Sequence, residues 1–269
     1  VHFAEARLSQ VAGLQRENRL LQDTLPARIA AGSAMPAELT MARQEALAIA
    51  DRTDELARDV RKARVELRRW IGERAAAPLQ GAAPAMDVNG DALRSSLPHH
   101  AELAPYAPMR AMAQAEVAEA DAEKRGDWSW EVAYSRRPRY DDMVSFQLSF
   151  DLPWQRDRRQ QPQIEAKRRE IERIEAEREE LLRRHAAETD AMLAELQALD
   201  TQAERLRAAG LPLAAERVAL ATAAYQAGRG DLAAVLTARS QVLETQLRAI
   251  DLDAQRAALR LRLSTLIAE

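Results

Sequence analysis

The chain has 269 residues, with 56 Ala, 33 Leu and 36 Arg against 3 Lys, and it holds nine Gly, eleven aromatics and no Cys. Ala, Leu, Glu and Arg are strong helix formers, so the composition points to long helices, while a disulfide scaffold and a cysteine-ligated metal are excluded. A net charge of −3 lacks the basic excess of a nucleic-acid binder, and no apolar run approaches the roughly 18–20 residues of a transmembrane helix, although a membrane β-strand needs only about 9–11.

Glycine and proline punctuate the sequence and divide it into five stretches. Residues 1–73 read as a helical hairpin, with a tip at Ala31-Gly32-Ser33 and a returning helix over 37–71, which holds neither Gly nor Pro. Residues 74–98, through Asn89-Gly90 to Pro98, read as an irregular linker or equatorial belt. Residues 99–126 form a helix leading to a β-hairpin at 127–154. Residues 155–269 form a second helical hairpin, in which 163–209 and 231–269 are again free of Gly and Pro. The first of these two, 47 residues long, would reach about 70 Å as one helix. Between 231 and 269 the apolar positions Leu236, Leu243, Ile250 and Ala257 recur every seven residues, with Leu247, Ala254 and Leu261 as a second seam. That is coiled-coil spacing.

The β-hairpin rests on period-two alternation. Trp128, Trp130, Val132 and Tyr134 alternate with polar or small residues, and so do Val144, Phe146, Leu148, Phe150 and Leu152; the charged connector 136–142 contains Pro138. Seven of the eleven aromatics fall in 128–154, so this hairpin faces an environment that the helices do not. The pattern fits an outer-membrane barrel strand with its apolar side to lipid or a soluble amphipathic hairpin packed on a helix. Two strands cannot close a barrel, so the membrane reading requires strands from elsewhere.

An internal repeat organises the rest. A shift of 196 residues superposes Ala31-Gly32 on Ala227-Gly228, Ala42-Arg43 on Ala238-Arg239 and Leu47 on Leu243 without a gap. Only 31 residues precede Gly32, whereas about 70 separate Trp154 from Gly228. A complete first copy would therefore carry a longer first helix and another β-hairpin. The chain opens at Val1 without a charged-then-apolar leader, and an N-terminal part of the natural protein is expected to precede it.

No nucleophile elbow, phosphate loop or paired-carboxylate constellation is present, so no catalytic residue, cofactor or enzymatic activity is expected. Among the four His only His99 and His100 are close in sequence, with no carboxylate or Met at ligand spacing, so no metal site is expected either. The Arg-rich stretch 156–184 carries eight acidic residues, with Glu179 and Glu180 four places before Arg183 and Arg184. It reads as a salt-bridged solvent face and not as a nucleic-acid surface. The local cluster Arg156, Arg158 and Arg159 suits lipid headgroups or a tunnel entrance.

Two tandem helical hairpins with Ala-Gly tips, separated by a β-hairpin ending in Leu152-Pro153, resemble the TolC family of outer-membrane efflux channels. Asp127-Trp128-Ser129-Trp130, Arg136-Arg137, Tyr140-Asp141-Asp142-Met143-Val144-Ser145, Leu152-Pro153-Trp154 and Arg156-Asp157-Arg158-Arg159-Gln160 are similar to its cobalt-zinc-cadmium and copper-silver branch. Tyr225-Gln226-Ala227-Gly228 resembles the family's second periplasmic tip. The resemblance implies a mainly α fold of long antiparallel coiled-coil hairpins with one β-hairpin given to an oligomeric barrel. It further implies a homotrimer in the outer membrane of a Gram-negative bacterium, each subunit giving four strands to a twelve-stranded barrel, with most of the chain in the periplasm. A periplasmic adaptor and an inner-membrane pump of the resistance-nodulation-division type are the implied partners, together with outer-membrane lipid but no nucleic acid. Carried over, the adaptor-contacting tips are Ala31, Gly32, Ser33, Ala227, Gly228, Arg229, Gly230 and Asp231, and the lipid-facing residues are the nine alternating apolar ones from Trp128 to Leu152. The function implied is passive export of heavy-metal cations. The alternatives are a periplasmic adaptor and a soluble coiled-coil scaffold.

Overall fold

The computed structural model describes residues 1–81, 86–125, 128–150 and 156–268. Its order is α1 (His2–Ala30), α2 (Pro36–Ile71), a 3₁₀ turn (Gly72–Ala76), α3 (Gly90–Ser96), 3₁₀ turns at Leu97–His99 and Ala101–Leu103, α4 (Tyr106–Ala122) and a 3₁₀ turn at Glu123–Arg125. Then follow β1 (Trp128–Ser135), β2 (Met143–Phe150), α5 (Arg156–Arg205), a π turn (Leu206–Gly210), α6 (Leu211–Gln226) and α7 (Leu232–Ala268). The fold is mainly α, built from long antiparallel helical hairpins and one β-hairpin. No described helix is long and apolar enough to cross a membrane. Two compact units share the chain, residues 1–88 with 192–265 and residues 89–191 with 266–269.

In the first unit the helices bury narrow stripes. Val11, Asn18 and Leu25 on α1, and Ala42, Ile49 and Leu56 on α2, are each seven residues apart and buried. Two clusters result. Val11, Ile49, Leu56, Leu243 and Leu247 pack together, and Leu25 and Ala42 pack with Leu232, Val235 and Leu236. The polar member of the α1 stripe is partly satisfied by Gln22 Nε2, which donates to Asn18 Oδ1 at 2.6 Å. Arg64 fastens the other end of α2, donating to Glu5 of α1 at 3.1 Å and to the carbonyl oxygens of Ala75 and Ala77 at 2.7 and 3.1 Å.

The seven-residue seam expected along α7 holds only through Leu247. Beyond it Ile250 and Ala257 are half-buried and Leu261 is exposed, while Leu252, Leu259 and Leu263 are buried. At about 100° per residue these three lie on nearly the opposite face. The neighbour has changed: Arg256 and Arg260 donate to Asp200 of α5 at 2.5 and 3.1 Å, and Leu196, Leu199 and Ala203 of α5 are buried. Between α5 and α6 the π turn directly precedes Leu211-Pro212, and a wider helical turn accommodates a residue that lacks N–H and crowds the preceding turn.

In the second unit, α3 forms inside the stretch expected to be irregular, because Asn89 is a helix cap and not a turn residue: its side chain accepts N–H bonds from Asp91 and Ala92 at 3.0 and 3.1 Å. Ion pairs Arg94–Asp190, Arg110–Glu175 and Lys167–Glu116 at 2.9, 2.9 and 2.5 Å join α3 and α4 to α5. The i,i+4 pairs Glu179–Arg183 and Glu180–Arg184 form at 3.4 and 2.6 Å. Strands β1 and β2 pair antiparallel, with Trp128 opposite Phe150, Trp130 opposite Leu148, Val132 opposite Phe146 and Tyr134 opposite Val144.

The stripe predicts a steep contrast along α2. Leu56→Ala should lower stability by about 2–4 kcal/mol, the cost of truncating a buried Leu, whereas Val65→Ala, on a residue 67% exposed, should change it by less than about 0.5 kcal/mol. Denaturant melts followed by circular dichroism measure both; equal shifts would contradict the packing described.

Candidate functional site: the paired hairpin tips

The two tips repeat one backbone motif at the 196-residue offset. Ala31 and Ala227 have φ near −81°, and Gly32 and Gly228 follow at φ 72° and 66°. In the first tip the N–H groups of Ala31, Gly32 and Ser33 donate to the carbonyls of Ala27, Ile29 and Arg28 at 3.0, 3.0 and 2.9 Å; in the second, those of Ala227, Gly228 and Arg229 donate to Ala223, Tyr225 and Ala224 at the same three distances. This is the Schellman arrangement, which satisfies the last carbonyls of a helix while a left-handed residue turns the chain away. A Cβ on Gly32 or Gly228 would meet nothing within 4 Å, so glycine is required for its positive φ alone. Gly230 differs: a Cβ there would sit 3.1 Å from the Ala224 Cβ.

The returning helices are capped in different ways. Asp231 Oδ1 accepts the Ala234 N–H at 2.8 Å. In the first tip Met35 occupies the cap position without a side-chain oxygen, so Glu38 Oε1 accepts the Met35 N–H at 3.1 Å, with Pro36 as first helical residue. The eight expected tip residues, Ala31, Gly32, Ser33, Ala227, Gly228, Arg229, Gly230 and Asp231, are all exposed. The apolar residues beneath them, including Ala34, Leu39 and Ala221, join the cluster around Leu25 and Leu232, which brings the two tips side by side.

One polar clasp joins the tips. The Tyr225 hydroxyl of α6 donates to Glu38 Oε2 of α2, and the Arg28 guanidinium of α1 lies 4.9 Å from the centre of the Tyr225 ring, a cation–π distance. Burial first, and then the bond to Glu38, push the Tyr225 phenol above its ordinary pKa. Arg28 and Glu38 are not among the site residues expected from the sequence, where Tyr225 belongs only to the Tyr225-Gln226-Ala227-Gly228 motif. At the 196-residue offset the three correspond to Ala224, Ala234 and Ile29, so each polar partner stands where the other copy is apolar or small.

The second expected site is the face of the β-hairpin. Trp128, Trp130, Val132, Tyr134, Val144, Phe146, Leu148 and Phe150 are each 52–71% exposed and stand opposite one another in apolar pairs. Leu152 lies outside the described residues. The histidine reading is corrected by the fold: His100 pairs not with exposed His99 but with His185 of α5, their ring centres 4.5 Å apart.

No family model matches the chain, and no curated protein matches it. Solved structures do. The outer membrane protein VceC of Vibrio cholerae matches at 18% identity with a TM-score of 0.73, over 98% of this chain and 66% of VceC. CusC, whose structures concern folding and transmembrane channel formation, matches at 18% with a TM-score of 0.73, over 98% of this chain and 65% of its own. The MtrE outer membrane channel of Neisseria gonorrhoeae, in its open state, matches at 15% with a TM-score of 0.65, over 98% and 62%. At these identities the likeness is one of fold, and the chain spans just under two thirds of each structure.

Tyr225→Phe keeps the ring and removes the hydroxyl donor. It should speed hydrogen exchange of the amides at 228–234 by about 5- to 10-fold, the equivalent of one modest hydrogen bond. Because the folded phenol has a raised pKa, the clasp is complete below the ordinary tyrosine range near 10 and is lost as pH rises through the raised value. Exchange at these amides that is unchanged in the Phe variant would contradict the clasp.

Proposed function

We propose that the chain belongs to a subunit of a trimeric outer-membrane export channel. Its β-hairpin joins strands from a preceding segment and from two other copies in one barrel, and its helical hairpins line a water-filled periplasmic duct. The observation that carries this reading is the bare apolar face of β1 and β2. Eight large apolar side chains on one side of an isolated two-stranded sheet have no cover among the described residues, a combination that water does not tolerate. The alternation along both strands, with the aromatic pair Trp128–Phe150 at one end, suits a lipid-facing wall bordered by an aromatic girdle. The fold shared with solved outer-membrane channels supports the same reading.

In this proposal the exposed tips dock a periplasmic adaptor that couples the duct to an inner-membrane pump of the resistance-nodulation-division type. Opening is a splaying of the tips, resisted by the Tyr225 clasp. Transport is passive, with no catalytic step. Heavy-metal cations are the proposed cargo, on the motifs around Trp128-Ser129-Trp130 and Tyr140-Asp141-Asp142. The adaptor reading is not adopted, since an adaptor sets one helical hairpin inside Gly- and Val-rich β-domains. A soluble coiled-coil scaffold has no use for the aromatic strand face.

The full-length protein should cross-link as a trimer and give stepwise conductance in planar bilayers. Phe146→Arg, at mid-strand on the apolar face, should cost about 2–4 kcal/mol of insertion and abolish trimer recovery from membranes, while Ser145→Arg should not. Absence of both trimer and conductance in the full-length protein would overturn the reading.

A further inference from the structure

We propose that His100, Glu102 and His185 form a site for a divalent transition-metal cation of the zinc class, which pins the turn at residues 97–103 to α5. The proposal is independent of the channel reading. One potential ligand atom from each residue lies within 4.8 Å of the other two. His185 Nε2 and Glu102 Oε2 are 3.0 Å apart. Zinc–nitrogen and zinc–oxygen bonds of about 2.0–2.1 Å in a tetrahedron set neighbouring ligands roughly 3.3 Å apart, so this edge is already near metal spacing. A cation bound there would replace this direct contact.

The donor set and its surroundings suit such an ion. Two imidazoles and one carboxylate are borderline ligands that favour zinc, cobalt, nickel or copper over magnesium or calcium. His100 is itself buried, as are Leu97 and Leu103 three residues to either side of it in the turn. Its Nδ1 accepts only a long N–H bond from the Glu102 backbone, at 3.3 Å. The two rings lie with centres 4.5 Å apart and planes tilted by 31°. The His185 side chain is 12% exposed and that of Glu102 is 61% exposed, which leaves an open side for ion entry and for a water ligand. On the far side of His185, Nδ1 stands 3.9 Å from Glu188 Oε2, where a small rotation would give the carboxylate partner that orients most metal-bound histidines. Arg184, the nearby cation, is bonded to Glu180 at 2.6 Å.

Titration of the tag-free protein with zinc chloride by calorimetry, and with cobalt(II) by visible absorption, tests this. One equivalent of zinc should bind, and cobalt should give the d–d bands of a site with nitrogen and oxygen ligands. His185→Gln and His100→Gln should weaken binding by at least about 10-fold, as should Glu102→Gln, an exposed position whose change leaves packing intact. His99→Gln, one residue away but outside the cluster, should bind as the wild type does. Circular dichroism confirms that each variant is folded. No stoichiometric binding by the wild type, binding that survives in folded Glu102→Gln and His185→Gln, or binding lost in His99→Gln would each overturn the proposal.

Discussion

Narrow-stripe packing is the constraint on which the rest of this chain depends. Helices as long as α2, α5 and α7 expose most of their circumference, and on α2 the buried positions are Ala42, Ile49 and Leu56, one residue in seven. A register built on so few contacts has to be fixed at its ends. The Gly32 and Gly228 reversals do this in the first unit: the same three backbone bonds, made twice, set the point at which each returning helix starts. From that point Ala42, Ile49 and Leu56 meet Val11 and Leu25 in step.

The clasp at Tyr225 adds a different kind of term. The apolar stripe is continuous and cannot easily be switched, whereas Tyr225, Glu38 and Arg28 form a small polar unit at the exposed end of the hairpins. It links three helices through one phenol, and Glu38 uses its other oxygen to cap α2. Loss of that one side-chain contact would loosen both tips while the stripe below stays packed. This separation of a durable body from a releasable end suits the docking-operated opening proposed above.

Much of this architecture is legible in the sequence because it is local or repeated. Helices α2 and α7 and most of α5 follow from Gly- and Pro-free runs, whereas α1 continues through Gly13 and Pro26 and α5 through Pro162; the tips follow from the 196-residue repeat and β1 and β2 from alternation. What is not legible depends on partners distant in sequence. The second half of α7 turns its buried face toward α5, which a seven-residue pattern read on α7 alone cannot reveal. His185 reaches His100 only because α5 passes beside the turn at 97–103. The clasp did leave a trace, since Arg28, Glu38 and Tyr225 break the repeat at three positions, but three differences between copies do not by themselves say that the residues meet. Asn89-Gly90 has the composition of a turn and becomes a helix start because the following residues bury Leu93.

The proposed function requires the bare face of the β-hairpin to meet lipid. Spin labels placed singly from Ser129 to Tyr134 and from Val144 to Gln147 in the membrane-reconstituted full-length protein test it most directly, read as oxygen against aqueous-relaxant accessibility. A lipid face gives strict alternation, with Trp130, Val132, Tyr134, Val144 and Phe146 open to oxygen in the bilayer and the residues between them shielded from lipid. Uniform aqueous accessibility along both strands, or protection of the aromatic face from lipid and water alike, would contradict it.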